Sequence, residues 1–424
     1  MERLSAMLKK IIYKKLFGIF NYEIDLKEGG VTILTGPNGF GKSTILKSID
    51  AFYSFDIIFF YKLDFEKISF FSNDSLVPIC IEKRGNELII GEFQINFGRL
   101  QDEFFKRSRR SYYYRLDGNR WIDRRTDEVI SKDELIQDFI RDNDIEDEIE
   151  LGNKGFAKIK EKAKAYSGET KFIKEQRLLK EKHIGGRFKK KTINVIEGLP
   201  GQFKDKMNQV SSRYSAEANN LDSSYPERLF ETQNGITKEE YLDSLKSMNE
   251  KFEKLNEYNI SDIKGLGNRV EFLPEHSKAL KVYFEDFEKK YNVFEDFIKQ
   301  LDLFTEIINS RLKFKKVRIS RDDGIVVYKP SGHDEKLSLG QLSSGEKQEI
   351  ILFYELIFES EKNIHLLIDE PEISLHIEWQ LKFMDDLLRI AKYKNFKVTV
   401  ATHSPQIINN HWDIQIDLGE MYGD

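Results

Sequence analysis

Cysteine and proline are both scarce in this chain, which has one cysteine, Cys80, and 8 prolines among 424 residues. A single cysteine excludes an intrachain disulfide framework and any metal site built from several cysteines. No stretch is apolar for long enough to span a bilayer, and the segment from Met1 to Phe20 lacks the apolar core of a signal peptide. We therefore expect a cytoplasmic protein without a membrane partner.

The chain also has no excess of positive charge. It contains 67 basic and 72 acidic residues, so the formal net charge is −5. Any attraction to nucleic acid must therefore come from a local patch. Charged residues make up 33% of the chain and hydrophobic ones 40%, a composition typical of a folded, helix-rich protein. The length predicts two or three lobes rather than one core.

Two stretches are locally basic. In residues 104–125, arginines are interleaved with tyrosines and Trp121 around a predicted turn at Asp117-Gly118. Such a hairpin could bind phosphates and stack bases, or it could be a solvated hairpin whose arginines pair with nearby aspartates. The second interpretation is favoured, and the lysine-rich loop at 187–191 leaves the same two possibilities open.

Residues 36–44 contain the pattern G-x-x-x-x-G-K-[ST] between a predicted buried strand at 31–34 and a predicted helix from residue 45. Glycines let the backbone curl so that several N–H groups meet the oxygens of a triphosphate. Lys42 should reach the β- and γ-phosphates, and the Ser43 hydroxyl should bind Mg²⁺. The candidate binding residues are Asn38, Gly39, Phe40, Gly41, Lys42, Ser43 and Thr44.

A second candidate anion site precedes a long apolar helix near the other end of the chain. It consists of Ser343, Ser344, Gly345 and Glu346, which offer N–H groups and hydroxyls at a helix start. These residues could act as a lid on the γ-phosphate held by another subunit. By itself the same pattern predicts only an N-cap that Glu346 closes as a capping box.

Two predicted buried strands end in residues that suit phosphate hydrolysis. The strand at 364–368 leads into Asp369-Glu370, and the strand at 396–401 leads to His403. The carboxyl ends of parallel strands share one edge of a sheet. The phosphate loop, as we call residues 36–44, should lie at the same edge. We expect Asp369 to bind Mg²⁺, Glu370 to take the proton from the attacking water, and His403 to contact the γ-phosphate or that water.

The middle of the chain has helical periodicity from about residue 205 to 312, typical of an arm or of helices packed on the body. The expected organisation is a first ATPase-head lobe at 1–100, an insertion at 101–312, and a second head lobe at 313–424. The insertion would contain the basic hairpin followed by the helices.

The phosphate loop, residues 342–346, Asp369-Glu370, residues 374–376 and His403 together resemble the motifs of ABC-type ATPases. That resemblance implies an α/β fold, with a mixed sheet, a parallel sheet and flanking helices, split by a largely helical insertion. It also implies ATP and Mg²⁺ as ligands and a head-to-head homodimer or higher homo-oligomer. Many more residues separate Ser43 from Ser343 than in transporter subunits, so the layout resembles the SMC, RecF and OLD branch.

Within that branch, residues 172–178, 221–229 and 374–380 resemble segments of AriA, the ATPase subunit of bacterial PARIS anti-phage systems, and of its OLD-like relatives. The resemblance implies a regulatory ATPase that senses a phage-encoded trigger and controls a separate TOPRIM-type nuclease. Too few residues follow His403 for a fused nuclease domain. The alternative is a RecF- or SMC-like repair ATPase that acts directly on DNA. No Q-loop glutamine is evident, and Gln94 and Gln101 are weak candidates.

Overall fold

The computed structural model describes residues 7–27, 30–73, 77–91, 93–96, 113–117, 120–123, 128–131, 169–174, 177–183, 190–260, 272–329, 335–373 and 375–422. The chain separates into two compact units, one within residues 1–193 and 360–424 and the other within residues 194–359. These limits differ from the expected segments at 1–100, 101–312 and 313–424, because residues 313–359 belong to the same unit as the helices that precede them.

The elements are numbered along the chain. The first part contains β1 (Leu8–Leu16), β2 (Phe20–Asp25), β3 (Val31–Thr35), α1 (Lys42–Ser54), α2 (Ile57–Lys62), β4 (Lys67–Ser72), β5 (Ile79–Arg84), β6 (Glu87–Ile90), β7 (Phe93–Asn96), β8 (Tyr113–Arg115), β9 (Arg120–Asp123), β10 (Glu128–Ser131), β11 (Thr170–Ile173), β12 (Leu179–His183) and β13 (Lys190–Asn194). The second part contains α3 (Val195–Glu231), α4 (Lys238–Glu257), α5 (Ser277–Asn309), β14 (Lys316–Ser320), β15 (Gly324–Lys329), β16 (Glu335–Leu337), α6 (Ser344–Ile357), β17 (His365–Asp369), α7 (Ile377–Lys394), β18 (Lys397–Ala401), α8 (Pro405–Ile408) and β19 (Gln415–Asp417).

A five-stranded parallel sheet is the centre of the first unit, in the order β11-β17-β18-β3-β19. All residues of β3 and β18 are buried, as the continuous apolar runs of the sequence predict for strands covered on both faces. The register pairs Ile368 with Val400 and Val400 with Ile33, so three strands reach the same carboxyl edge. The sheet order therefore gathers the segments after β3, β17 and β18 at one edge.

A six-stranded antiparallel sheet, in the order β2-β1-β4-β5-β6-β7, forms the other half of the first unit. Residues of this sheet share one hydrophobic core with α1 and with Leu34 and Leu367 of the parallel sheet. Strands β1 and β2 form an antiparallel hairpin before the phosphate loop, and β5 and β6 are joined at Gly85-Asn86. Smaller sheets pair β10, β9 and β8, and β12 with β13.

The second unit consists of the long helices α3, α4 and α5, the antiparallel sheet β14-β15-β16 and helix α6. The apolar stepping predicted around residues 278–312 is confirmed by the buried face of α5, which includes Phe294, Leu301 and Phe304. Rings of Phe203, Phe297 and Phe304 surround Phe358 at centroid distances of 5.5–6.2 Å. Strands β14 and β15 form an antiparallel hairpin, with Ser320 opposite Gly324.

These elements confirm the predicted fold class, an α/β P-loop ATPase fold with a parallel sheet, flanking helices and a largely helical insertion. The sheet that was expected to be mixed is antiparallel in all of its described strand pairs. Among the helices that the structure describes, none combines the length and the apolar character needed to cross a membrane.

Candidate active site

The phosphate loop lies between the end of β3 and the start of α1. Gly36 and Gly41 have φ angles of 135° and 87°, in the left-handed region that favours glycine. A Cβ at Gly41 would lie 3.0 Å from the ring of Phe17, and a Cβ at Gly36 would lie 3.3 Å from the nitrogen of Gly419. Glycine is therefore required at both positions for backbone conformation and for space.

Lys42 is the first residue of α1, and its side chain turns back over the loop. It is 5% exposed, and its Nζ donates to the carbonyl oxygen of Gly36 at 2.9 Å and of Pro37 at 3.4 Å. A buried ammonium beside the positive end of a helix of 13 residues attracts anions strongly. Of the other candidate loop residues, Asn38 and Gly39 are exposed, and Phe40, Gly41, Ser43 and Thr44 are half-buried.

Ser43 and Asp369 meet at the carboxyl edge of the parallel sheet. The Ser43 hydroxyl donates to Oδ1 of Asp369 at 2.9 Å, although the residues are 326 positions apart in the chain. A hydroxyl and a carboxylate are hard oxygen ligands of the kind that Mg²⁺ prefers when it also binds phosphate. The pair predicted as metal ligands therefore lies together, and its donor set fits Mg²⁺.

Glu370 follows β17 with a φ of 44°, a conformation that costs free energy in a residue other than glycine. Its backbone N–H donates to the carbonyl oxygen of Ala401 at 2.9 Å, which anchors the turn to β18. Its Oε2 lies 2.6 Å from Nδ1 of His403. The predicted base and the predicted histidine thus form a hydrogen-bonded pair at the edge where Asp369 also lies.

Glu372 is a buried member of the same cluster, and the sequence analysis assigned it no role. Its Oε1 accepts hydrogen bonds from Oγ1 of Thr402 at 2.6 Å and from the backbone N–H of His403 at 3.0 Å. The same oxygen lies 3.2 Å from Nδ1 of His403. Glu372 therefore holds the segment that carries His403, and its place two residues after Glu370 was the signal in the sequence.

Burial and, after it, the neighbouring carboxyl of Glu372 raise the pKa of Glu370 to about 7, against the opposing effect of His403. A carboxyl group with such a pKa can gain and lose a proton near neutral pH, as a general base requires. Donor atoms of Glu370, Glu372 and His403 all lie within 4.8 Å of one another, a spacing that could also hold a cation. The group is thus compact enough to act as one acid–base cluster.

Gln380, on the second turn of α7, links the two loops that carry this cluster. Its Nε2 donates to the carbonyl oxygen of Leu375 at 3.1 Å, and its Oε1 accepts from the hydroxyl of Ser404 at 2.8 Å. Leu375 belongs to residues 374–376, one of the segments that resemble ABC-type motifs, and Ser404 follows His403. Ser374, the first residue of that segment, lies outside the described residues.

The second candidate anion site begins α6 in the other compact unit. Ser343 is the N-cap, and its hydroxyl and Glu346 form the predicted capping box, with Ser343 N donating to Glu346 Oε2 at 2.8 Å. Lys315 Nζ donates to both carboxylate oxygens of Glu346 at 2.9 and 2.8 Å. Burial alone would raise the pKa of Glu346, but Lys315 and Ser343 outweigh it and lower that pKa. Ser344 and Gly345 form the first turn of the helix.

An aromatic cluster borders the phosphate loop, and the phosphate-loop motif did not predict this cluster. The ring of Phe40 lies 5.2 Å from that of Phe20 and 5.8 Å from that of Tyr422, and its carbonyl oxygen accepts from the Tyr22 hydroxyl at 3.0 Å. The Phe40 side chain therefore packs in this cluster rather than standing free for a ligand. Phe17, beside Gly41, is 38% exposed, and a ring of this kind can stack on a nucleobase.

Several other predicted residues stand apart from the site or outside the described residues. Gln94 lies on β7 and donates to Glu87, and Gln101 lies outside the described ranges. In the described part of the basic hairpin, Arg120 forms an ion pair with Asp117, and Trp121 is buried. This part fits the solvated hairpin, whereas most of its arginines and the side chains of residues 187–191 fall outside the described ranges.

The chain matches a known protein family over most of its length. A family model described as AAA ATPase domain matches residues 7–408. Over 37 residues the chain is 51% identical to a protein described as probable branched-chain amino acid transport ATP-binding protein LivF, from Archaeoglobus fulgidus. That match covers 9% of this chain and 16% of the relative, so the chain matches only a small part of the relative's length.

Two solved structures are similar over most of the chain. One is the Smc head domain with an extended coiled coil bound to the C-terminal domain of ScpA, derived from Pyrococcus furiosus, with 14% identity and a TM-score of 0.33. The other is an SmcHead bound to the C-winged helix domain of ScpA, with 12% identity and a TM-score of 0.36. Each comparison covers 95% of this chain and 91% of the other.

Proposed function

Because the chain belongs to the AAA ATPase domain family, we propose that it binds ATP with Mg²⁺ and hydrolyses it slowly as the regulatory subunit of an anti-phage system. Family membership makes it an ATPase of the AAA type, and the regulatory role is the proposal. Its partners would be further copies of itself, a separate TOPRIM-type nuclease and a phage-encoded trigger, all in the cytoplasm.

The observation that supports hydrolysis is the meeting of three chain segments at one sheet edge. Ser43 contacts Asp369 at 2.9 Å, and Glu370 contacts His403 at 2.6 Å immediately beyond it. Lys42 and the N–H groups of the loop would hold the β- and γ-phosphates. A bound Mg²⁺ would supply charge neutralisation to the phosphates when held by Ser43 and Asp369.

Glu370 is the group placed to activate water. Its carboxylate would take the proton from the attacking water, while the hydrogen bond from His403 orients it and leaves the ring near the γ-phosphate. Glu372 keeps His403 in place through Thr402 and the His403 backbone. In this scheme a second copy supplies Ser343, Ser344, Gly345 and Glu346 to complete the binding of the γ-phosphate.

The regulatory assignment is supported by the resemblance of three stretches to AriA-type ATPase subunits. Residues 172–178 begin with the last two residues of the edge strand β11, residues 221–229 lie on α3, and residues 374–380 lead into α7. The third stretch contributes Gln380, which links the loops of the acid–base cluster. Sequence likeness thus extends from the ATPase head into the helical unit.

The substitution Glu370→Gln tests the hydrolytic part. We expect the rate of phosphate release to fall by roughly 100-fold, because the amide cannot accept the proton, while ATP still binds. Phosphate release and equilibrium binding of ATP should be measured on the same preparation. Glu378→Gln, on the exposed first turn of α7, is the matched control and should leave both unchanged. A Glu370→Gln chain that hydrolyses ATP at the normal rate would remove Glu370 from the role of base.

The regulatory part is tested by co-expression of the full chain with the product of its neighbouring gene. We expect the two products to copurify and the pair to reduce phage plating, with both effects altered by Glu370→Gln. Salt-sensitive DNA binding by the chain alone, without any copurifying partner, would instead support direct action on DNA.

A further inference from the structure

A cavity of about 700 Å³ lies between helices α3, α4 and α5 of the second unit. Nearly half of its lining residues are aromatic, among them Tyr214, Tyr225, Tyr283 and Tyr291 together with Phe287 and Phe294. Protein interiors contain few voids larger than a water molecule, whereas ligand pockets usually measure 300–1,000 Å³. A space of this size and lining has the character of a binding site rather than of a packing defect.

Ion pairs between the helices brace the walls of this cavity. Arg228 on α3 binds Asp286 on α5 with both guanidinium nitrogens, the second at 2.8 Å, and it also donates to the carbonyl oxygen of Leu221 at 2.6 Å. Lys290 on α5 donates to Asp222 on α3 at 2.8 Å. These contacts hold two helices at a fixed separation, so the aromatic side chains between them need not collapse onto one another.

The stretch at 221–229, which the proposed ATPase chemistry does not use, builds much of this wall. Asp222 and Tyr225 line the cavity, and Arg228 braces it. Pro226 lies inside α3 and has no N–H, so it cannot make the helix hydrogen bond to the Asp222 carbonyl. The Ser224 hydroxyl donates to Asn220 O at 2.9 Å in the same turn. This segment of α3 is therefore adapted locally to the cavity.

The charges around the cavity leave one cation unmatched among the described residues. Asp286 is paired with Arg228, and Asp222 is paired with Lys290. Arg321 also lines the cavity and is exposed, and its guanidinium has no ion-pair or hydrogen-bond partner within the described ranges. An anionic group on a ligand could therefore pair with the Arg321 guanidinium without displacing a described carboxylate.

We propose that this cavity binds a small molecule that combines a planar aromatic ring with an anionic group. The ring would stack among the tyrosine and phenylalanine side chains, and the anion would pair with Arg321. Nucleoside monophosphates and aromatic carboxylates are two sources of this chemistry. The site is separate from ATP hydrolysis in sequence, because its lining residues fall between Ser211 and Arg321 and none belongs to the phosphate loop or to β17.

Calorimetric titration of the full chain carrying Lys42→Ala tests this proposal without demanding ATP turnover. The background substitution weakens the phosphate loop, so that AMP bound elsewhere can be observed. We expect saturable binding of AMP or of indole-3-acetate at one site per chain. Arg321→Gln should weaken AMP roughly tenfold and leave adenosine, which lacks the phosphate, within about twofold.

A pair of tryptophan substitutions on α3 locates the binding. Ser215 lines the cavity and is exposed, so Ser215→Trp should fill the space and abolish binding. Ser212 is exposed on the same helix and does not line the cavity, so Ser212→Trp should bind as the parent does. Binding of AMP alone identifies the nucleotide source, and binding of indole-3-acetate alone identifies the carboxylate source.

Two outcomes would overturn the proposal. The first is that neither AMP nor indole-3-acetate binds saturably to a folded Lys42→Ala chain. The second is that binding is the same with Ser215→Trp as with Ser212→Trp. Both results are independent of the wild-type ATPase rate, so failure here would leave the proposed hydrolysis untouched.

Discussion

Glu370 and Glu372 differ in their surroundings although only one residue separates them. The Glu370 side chain is 15% exposed and can meet water, whereas the Glu372 side chain is 6% exposed and accepts from Thr402 and from the backbone of His403. A carboxylate held by several donors is fixed in position. Glu370 is therefore suited to proton transfer, and Glu372 is suited to positioning.

Replacement of Glu372 by glutamine should slow catalysis without weakening nucleotide binding. We expect kcat to fall roughly tenfold, because the amide replaces a carboxylate that holds Thr402 and His403, while KM for ATP stays within about twofold. Thr402→Val should follow the same pattern, and Thr402→Ser should restore most of the rate because it keeps the hydroxyl. Steady-state kinetics of the three variants check this, and an equal loss with Thr402→Ser would contradict it.

His365 lies at the start of β17 and affects stability rather than chemistry. Its Nε2 lies 2.9 Å from Oγ1 of Thr399, and Tyr53 packs against its ring with centroids 5.8 Å apart. Burial, with a smaller effect from Lys397, lowers the pKa of His365 to about 3. The unfolded chain takes up this proton near pH 6.5, so it binds more protons than the folded chain between these values.

Stability should therefore rise with pH between about 3 and 6.5, and His365 contributes to that slope. We expect His365→Asn to flatten the pH dependence of stability, by up to roughly 5 kcal/mol over the whole window. Urea unfolding followed at pH 5 and at pH 7.5 measures the difference between variant and wild type. The prediction would be wrong if both chains lost the same stability on acidification.

At the level of elements, the end of α5 is tied to α6, the helix that Ser343 caps. Arg311 follows α5, and its Nε lies 3.4 Å from Oε2 of Glu349 on α6. The two side chains are 1% and 3% exposed. The Arg311 guanidinium also lies 4.7 Å from the centre of the Phe353 ring. A buried ion pair of this kind fixes the position of one helix against another, although its net stabilisation can be small.

Removal of one partner from this ion pair should lower the free energy of unfolding far more than removal of both partners. We expect Glu349→Leu alone to lower the free energy of unfolding by roughly 3 kcal/mol, because it leaves the buried guanidinium without its carboxylate. The double substitution Arg311→Met with Glu349→Leu should cost much less than the sum of the single ones. A double-mutant cycle by urea unfolding measures the coupling, and additive effects would show that the pair does not couple α5 to α6.

At the level of the whole molecule, the two anion-binding segments belong to different compact units. The phosphate loop lies in the first unit, and Ser343 begins α6 in the second. In a head-to-head dimer each complete site would contain the phosphate loop of one copy and the Ser343 segment of the other. Oligomerisation would then be a requirement for turnover rather than an addition to it.

Mixing two inactive chains tests this arrangement. Lys42→Ala should inactivate the phosphate loop, and Ser343→Arg should block the helix start with a bulky cation. An equimolar mixture should recover about a quarter of wild-type turnover, since half of the dimers are mixed and each has one intact site. A mixture as inactive as its components, or a wild-type chain with full turnover as a monomer by light scattering, would contradict shared sites.

The phosphate-loop pattern, the strands of the parallel sheet and the candidate residues at their ends could be predicted from the sequence. Those features are local, because glycine positions, apolar runs and the residue after a strand follow from backbone geometry within a few residues. Lys42, Ser43, Asp369, Glu370 and His403 could therefore be identified before their contacts were known. The helical periodicity of α5 and the capping box of α6 were predictable for the same reason.

The contacts between these residues and their surroundings depend on the tertiary structure. The contact of Ser43 with Asp369, the buried Glu372 behind His403 and the aromatic cavity beside residues 221–229 join positions that are distant in the chain or differ only in burial. Glu370, which can meet water, and Glu372, which Thr402 holds, are the same residue type in the sequence. Their roles differ because the packing of neighbouring strands sets their solvation and hydrogen bonds.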